Sequence, residues 1–281
     1  MFGWSIKNLM HKIDSSYCIM PQKAIFNKNW NFMSKLVSII MPSFNTIQYI
    51  SEAIQSVLKQ TYTTFELIIV DDGSSDGSVE TIKSFNDKRI IFIALEVNHG
   101  PQYVRNLALS KAQGDYIAFL DSDDFWEKDK LDKQINFMES TKTPLSYTPY
   151  MIVRENARGG GYRPRLQLSY GDLLRSCDIG NSTAIYNAKI LGKIQSGSLR
   201  HDYELWLSIL KRGYIARCVS DKPLATIRLR NGSDTANKLK SAILQWKVYR
   251  KIEKLSWAKS FYFLVCYTFY GLRKHLNYRK T

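Results

Sequence analysis

The chain has 281 residues, a formal net charge of +15, 44% hydrophobic residues and 13% aromatics. That length and apolar content exclude a disordered chain, a collagen-like repeat and a small disulfide-stapled scaffold, and suit one sizeable α/β domain with extensions. Four separated cysteines (Cys18, Cys177, Cys218, Cys266) form no CxxC pair, so neither a zinc site nor a disulfide framework is expected and a reducing compartment is.

Residues 1–34 carry four lysines and one acid, for +3, with no apolar run that reads as a signal peptide or a membrane span. The first strong periodic signal begins at Leu36, so 1–34 reads as an extension outside the fold, with Met33 as a natural start. From there short apolar runs alternate with amphipathic stretches. Strands are predicted over Leu36–Met41, Phe65–Val70, Arg89–Ala94 and Asp115–Leu120. Helices are predicted over Thr46–Lys59, from Asp76 to Phe85, over Gln102–Ala112 and around Lys128–Ser140. Continuous apolar strands between amphipathic helices imply a mostly parallel sheet covered on both faces. Ligands in such sheets bind beyond the carboxyl ends of the strands.

Those ends carry Pro42-Ser43-Phe44-Asn45, then Asp71-Asp72-Gly73-Ser74-Ser75-Asp76, then Asn98-His99-Gly100, then Asp121-Ser122-Asp123-Asp124. Asp76 and Asp124 could each simply cap a helix, but a cap needs one acid rather than a cluster. Asp121 and Asp123 lie two apart in an extended turn, where both can face one point. Facing carboxylates repel unless a cation sits between them. Hard divalent ions such as Mg²⁺ or Mn²⁺ prefer carboxylate oxygens and phosphates. The pattern therefore points to a metal–nucleotide site.

The segments VSIIMPSFN (37–45), ELIIVDDGSSDGS (66–78), NHGPQYVRN (98–106), GDYIAFLDSDD (114–124) and HDYELWLSILKRG (201–213), in this order, resemble the family 2 glycosyltransferases of the GT-A fold. The resemblance spans roughly 36–230 and is nearest to bacterial enzymes of O-antigen, capsule or teichuronic-type polysaccharide synthesis. It implies a catalytic domain over 35–235, with a nucleotide-binding half (35–125) and an acceptor half (126–235). It implies that Pro42, Phe44, Asn45, Asp71 and Asp72 hold the base and ribose of a UDP-sugar, with Phe44 where the family usually has Tyr. It also implies that Asn98, Gly100 and Arg105 approach the diphosphate or an acid of the site. Asp123 would bind Mn²⁺ or Mg²⁺ directly, and Asp121 would contact ribose or the metal. Asp202, in the first turn of a helix with an apolar face, would be the catalytic base; His201 stands where the family commonly has an acid. The implied reaction is an inverting transfer of a hexose to a hydroxyl of a polyprenyl-diphosphate-linked saccharide, giving a β-glycoside.

Residues 154–165 are basic and glycine-rich and read as a mobile surface loop, or a flap over the site. Asp178–Tyr186 resembles the family's acceptor-side strand. Residues 238–281 hold eleven basic residues and one acid, for +10, so the middle of the chain carries only +2. Ala236–Lys254 reads as a helix. Ser260–Leu272 is uncharged, aromatic and too short to span a bilayer. Residues 236–281 thus read as a basic amphipathic tail that binds a membrane surface, placing the chain at the cytoplasmic face of a bacterial inner membrane, with no nucleic-acid partner. A sugar-nucleotide pyrophosphorylase would need a glycine-rich, basic turn after the first strand, which Pro42–Asn45 lacks. A non-enzymatic basic module would have no use for the acid clusters.

Overall fold

The computed structural model describes residues 35–154, 157–229 and 238–277. The expectation for 1–34 lies outside the described residues. The first half of the fold follows the alternation of the sequence: β1 (Val37–Ser43), α1 (Ile50–Leu58), β2 (Phe65–Asp71), α2 (Ser78–Lys83), β3 (Ile90–Ala94), α3 (Pro101–Lys111), β4 (Tyr116–Phe119). A two-residue β5 (Phe125–Trp126) and α4 (Lys130–Thr141) come next. The second half is less regular. It runs β6 (Leu145–Tyr147), β7 (Tyr150–Arg154), β8 (Ala157–Tyr162), β9 (Gln167–Leu168), α5 (Tyr170–Arg175), β10 (Ile185–Asn187), α6 (Ala188–Leu191), α7 (His201–Leu210), β11 (Ala216–Cys218) and β12 (Ala225–Leu229). The described chain ends with α8 (Lys238–Lys247), a π-helical turn (Val248–Ile252) and α9 (Trp257–Asn277).

Among the described residues, eight strands form one sheet in the order β3-β2-β1-β4-β10-β6-β11-β9. The four strands β3, β2, β1 and β4 are parallel, and β10 runs antiparallel between β4 and β6. β1, β2 and β4 can be largely apolar and buried because both faces are covered, and their alternation splits the core into two layers. Val37, Ile39 and Met41 pack with Ile50, Ile54 and Val57 of α1. Ile40, one step out of phase, packs with Val104 and Ala108 of α3 and with Trp206 of α7. Gly114 lies so close to β1 that an added Cβ would sit 2.5 Å from the Ser38 amide nitrogen, so only glycine lets the chain turn from α3 into β4 there.

Three expectations are corrected. Residues 154–165 contain a strand: β8 pairs antiparallel with β7, which pairs with β12 in a second, four-stranded sheet ordered β5-β12-β7-β8. Gly159 is needed there by contact, since a Cβ on it would fall 1.8 Å from the Ile152 carbonyl oxygen. The strand expected over Asp178–Tyr186 is a 3-10 turn (Asn181–Thr183) followed by β10. The tail beginning at 236 is not an appendage throughout. Val248 and Tyr249 are fully buried in the core beside α5 and α7, and the Tyr249 hydroxyl donates to the Leu174 carbonyl at 2.6 Å.

α9 divides along its length. Ser260, Phe263, Leu264 and Tyr267 turn toward the core, while Trp257, Phe261, Val265 and Phe269, four apart, are 53–69% exposed. No helix among the described residues is long and apolar enough to cross a membrane.

Tyr249→Ala removes a fully buried ring and the hydrogen bond to Leu174. It should cost about 3–5 kcal/mol in urea unfolding. A loss below about 1 kcal/mol would mean that 248–249 is not part of the core.

Candidate active site

The register of the strands brings the polar turns together. Ser43 of β1 lies opposite Asp71 of β2, and Asp71 opposite Ala94 of β3. β4 stops earlier, with Phe119 opposite Ile40, so Asp121–Asp124 follows across the top of β1. The result is a cleft of about 380 Å³ lined by Pro42, Ser43, Phe44, Thr46, Asp72, Asn98, Pro101, Val104, Arg105, Asp121, Ser122 and Asp123. Seven of the residues singled out from the sequence meet in this wall.

Arg105 organises the acids. From the second turn of α3 its Nη2 donates to Asp121 Oδ1 at 2.8 Å, and the side chains are only 13% and 30% exposed. Asn181 Nδ2 donates to the same oxygen at 3.0 Å. Asp121, Asp202 and Asp123 all hold the Arg105 guanidinium above its ordinary range, against the opposing effect of burial. Asp202, which comes from α7 and does not line the cleft, is thus within electrostatic reach of Arg105 and Asp121. Burial pushes its carboxyl upward; Arg105 and then Arg200 pull it back, and the nearby Asp121 charge adds to the rise.

Asp72 has a task that spacing did not reveal. Its Oδ1 accepts the His99 amide at 2.7 Å and its Oδ2 the Gly100 amide at 2.9 Å. The carboxylate thus fixes the turn that starts α3, where Gly100 adopts φ +88 and opens the way for Pro101 at the first helical position. Each oxygen keeps a further lone pair for a ligand.

Of the other four candidates, Asp202 lines neither this cleft nor its neighbour, and three hold or border adjoining turns. Asp71 is fully buried, and Ser74 occupies both its oxygens through its amide at 2.8 Å and its hydroxyl at 2.6 Å. Asp71 therefore holds the turn rather than facing the cleft. Asn45, at φ 49, accepts the Ser75 amide and donates its own to Ser74 Oγ, and it does not line the cleft. Gly100 lines a neighbouring cavity. Asp76 lies just before the N-cap of α2, where it accepts from Ser78 and from the Ile47 amide.

Asp124 caps no helix. Its carboxylate is buried, accepting Ser182 Oγ at 2.5 Å and the Arg228 amide at 2.9 Å. Burial, then the charges of Asp123 and Asp121, hold it far above the ordinary carboxylate range. Ser182 Oγ also accepts the Asp121 amide at 3.1 Å. Arg228 donates to the Asp123 carbonyl at 2.6 Å and to Glu52 Oε2 at 2.5 Å. Asn181, Ser182 and Arg228, the last held by Glu52, thus brace the acid loop from 58 to 105 residues away in the chain. No short-range spacing signals them.

Among the described residues, no three His, Cys, Asp or Glu side chains gather into a complete metal cage. The donor set fits another arrangement. Mg²⁺ or Mn²⁺ is commonly held by one or two carboxylates and completed by substrate phosphates, and Asp121 and Asp123 beside an open cleft suit an ion that arrives with a nucleotide diphosphate.

The family model described as Glycosyl transferase family 2 matches residues 38–189. The putative teichuronic acid biosynthesis glycosyltransferase TuaG of Bacillus subtilis is 39% identical over 255 residues, which cover 88% of this chain and 99% of that protein. The UDP-Glc:alpha-D-GlcNAc-diphosphoundecaprenol beta-1,3-glucosyltransferase WfgD of Escherichia coli is 38% identical over 241 residues, covering 85% and 95%. The crystal structure of S. aureus TarS 1-349 in complex with UDP-GlcNAc superposes with a TM-score of 0.62 at 21% identity, over 87% of this chain and 73% of that one. The fold is thus the GT-A fold that the motifs led us to expect.

Proposed function

The chain belongs to glycosyl transferase family 2, and from that premise we propose that it moves a hexose from a UDP-sugar to a hydroxyl of a saccharide on a polyprenyl diphosphate, with inversion. The observation that carries this reading is the Arg105–Asp121 pair in a strand-end cleft that Asp72 and Asp123 also line, with Asp202 of α7 within electrostatic reach of the same guanidinium. The names of TuaG and WfgD, a teichuronic acid glycosyltransferase and a glucosyltransferase acting on a GlcNAc-diphospholipid, support the donor and acceptor classes.

In this reading Phe44, 45% exposed at the cleft mouth, stacks on the uracil, and Asp72 and Asn98 contact the nucleoside. Asp121 and Asp123 hold Mn²⁺ or Mg²⁺. When bound, the ion offsets charge that builds on the leaving diphosphate. The buried Arg105 Nε has no partner among the described residues, so the guanidinium keeps donor capacity for a phosphate oxygen. Asp202 takes the proton from the acceptor hydroxyl. Its raised pKa makes it a stronger base than an exposed aspartate, while Arg105 and Arg200 keep it from becoming a permanent acid. One displacement at an α-linked UDP-sugar leaves a β-glycoside, and no covalent enzyme intermediate is required.

The exposed face of α9 supplies the approach to a lipid-borne acceptor. Its stripe of Trp257, Phe261, Val265 and Phe269 lies beside the exposed Lys251, Lys254 and Lys259. Apolar and aromatic groups flanked by lysines suit the surface of an anionic bilayer, each cation near it adding about 1 kcal/mol. The chain would then work peripherally, at the cytoplasmic face of a bacterial membrane.

Two measurements test these assignments. Asp202→Asn should lose about 10²–10⁴-fold in kcat yet bind UDP in Mn²⁺ as the parent does, whereas Asp123→Ala should weaken that binding; calorimetry and initial rates read both. Retained turnover in Asp202→Asn removes the base. Phe261→Ser with Phe269→Ser should reduce sedimentation with phosphatidylglycerol vesicles at least tenfold and leave thermal stability unchanged. Unaltered sedimentation removes the membrane role.

A further inference from the structure

The first two turns of α3 separate two cavities. Pro101, Val104 and Arg105, spaced three and four apart, face the acid-lined cleft. Gln102, Tyr103 and Asn106, on the adjoining face, line a second cavity of about 450 Å³ with His99, Gly100 and His201. Pro101 borders both. The same Asp72 carboxylate that fixes this turn directs Asn98 to the first cavity and His99 to the second.

The two cavities differ in chemistry. Neither a carboxylate nor a lysine or arginine lines the second, so it is not built for a diphosphate. Instead it holds an aromatic pair. The rings of His99 and Tyr103 stack with centroids 4.6 Å apart and an interplanar angle of 28°, and Tyr103 is 48% exposed. Two amides stand beside them. Gln102 Nε2 donates to the Ser196 carbonyl at 3.3 Å, and Asn106 Oδ1 accepts the Ser196 amide at 2.8 Å. These bonds hold both amides in place and leave the Gln102 carbonyl oxygen and the Asn106 NH₂ as an acceptor and a donor. The far wall is His201, whose Nδ1 lies 3.0 Å from the Gly197 carbonyl oxygen and whose next residue is Asp202.

A pyranose ring is amphipathic: one face presents C–H bonds and the rim presents hydroxyls. The outer face of a stacked aromatic pair, with a fixed amide donor and acceptor beside it, matches both features, and the volume falls within the usual range of ligand cavities. We propose that this second cavity is the acceptor subsite, in which the terminal pyranose of the saccharide acceptor rests on the Tyr103–His99 rings, its rim meets Gln102 and Asn106, and the reacting hydroxyl points to Asp202. The inference rests on the glycosyltransferase reading and adds the residues that read the acceptor. The position is the one an inverting displacement needs. The two cavities meet at Pro101, so a donor sugar reaching past it from the Arg105 side can present its anomeric carbon to a hydroxyl held in the second cavity, where His201 adjoins Asp202 in the chain.

The test uses the full chain, UDP-glucose and a GlcNAc-diphospholipid acceptor. Tyr103→Ala should raise the acceptor KM at least tenfold while changing the UDP-glucose KM and Mn²⁺-dependent UDP binding less than twofold. Tyr103→Phe, which keeps the ring, should restore most of the loss. A rise confined to the donor KM, or no change in either, overturns the proposal. Saturation-transfer NMR with methyl α-GlcNAc separates the two layers of the argument. The C–H protons of the pyranose should receive saturation from the parent and not from Tyr103→Ala, whether or not the lipid acceptor turns over. Equal transfer in both proteins also overturns the subsite. Absence of turnover in the parent with this transfer intact would instead count against the proposed donor–acceptor pair.

Discussion

A buried guanidinium among carboxylates is the constraint on which the site depends. Arg105 is anchored on α3, paired with Asp121 and surrounded electrostatically by Asp123 and Asp202. Without it, three acids delivered by two unrelated parts of the chain would repel each other in a partly dry cleft. With it the acids keep a net negative charge, as the proposed divalent cation requires. The neighbouring Asp124 is held far above its ordinary range by burial first and then by the charges of Asp123 and Asp121.

The fold exists to deliver those groups to one place. Parallel β1 and β2 end level, so Phe44 and Asp72 arrive together; β4 ends short, so its acid turn crosses over them. The antiparallel insertion of β10 then brings Asn181 and Ser182 against Asp121 and Asp124. α3 is both the anchor of Arg105 and the wall between two cavities of different polarity. A single carboxylate, Asp72, sets where that wall begins. Structural and chemical roles are therefore not separable at this residue.

The alternating half, β1 through β4, was legible because buried parallel strands are continuous apolar runs and their helices are amphipathic. Its acids were legible because carboxylates clustered after a buried strand exceed what one helix cap needs, although Asp71, Asp72 and Asp124 also brace the turns. What escaped was set by long-range contact. Strands of two or three residues such as β5 and β11 carry no periodicity, and the glycines of β8 mimic a loop although Gly159 serves close backbone approach to Ile152. Asp71 and Asp72 are adjacent and chemically identical, yet one is sealed under Ser74 and the other lines the cleft; only the pleat of β2 decides which. In the tail, an aromatic, basic segment described composition correctly but not the division of α9 into a docked face and an exposed one.

The charge balance at the centre can be tested on one profile. With Asp202 as the proposed base, the acid limb of kcat reports its ionisation in the complex. Removing the guanidinium in Arg105→Met takes away a positive charge that favours the Asp202 carboxylate, so the limb should move to higher pH in the residual activity. A limb that stays where the parent's lies would contradict the arrangement described for these four side chains.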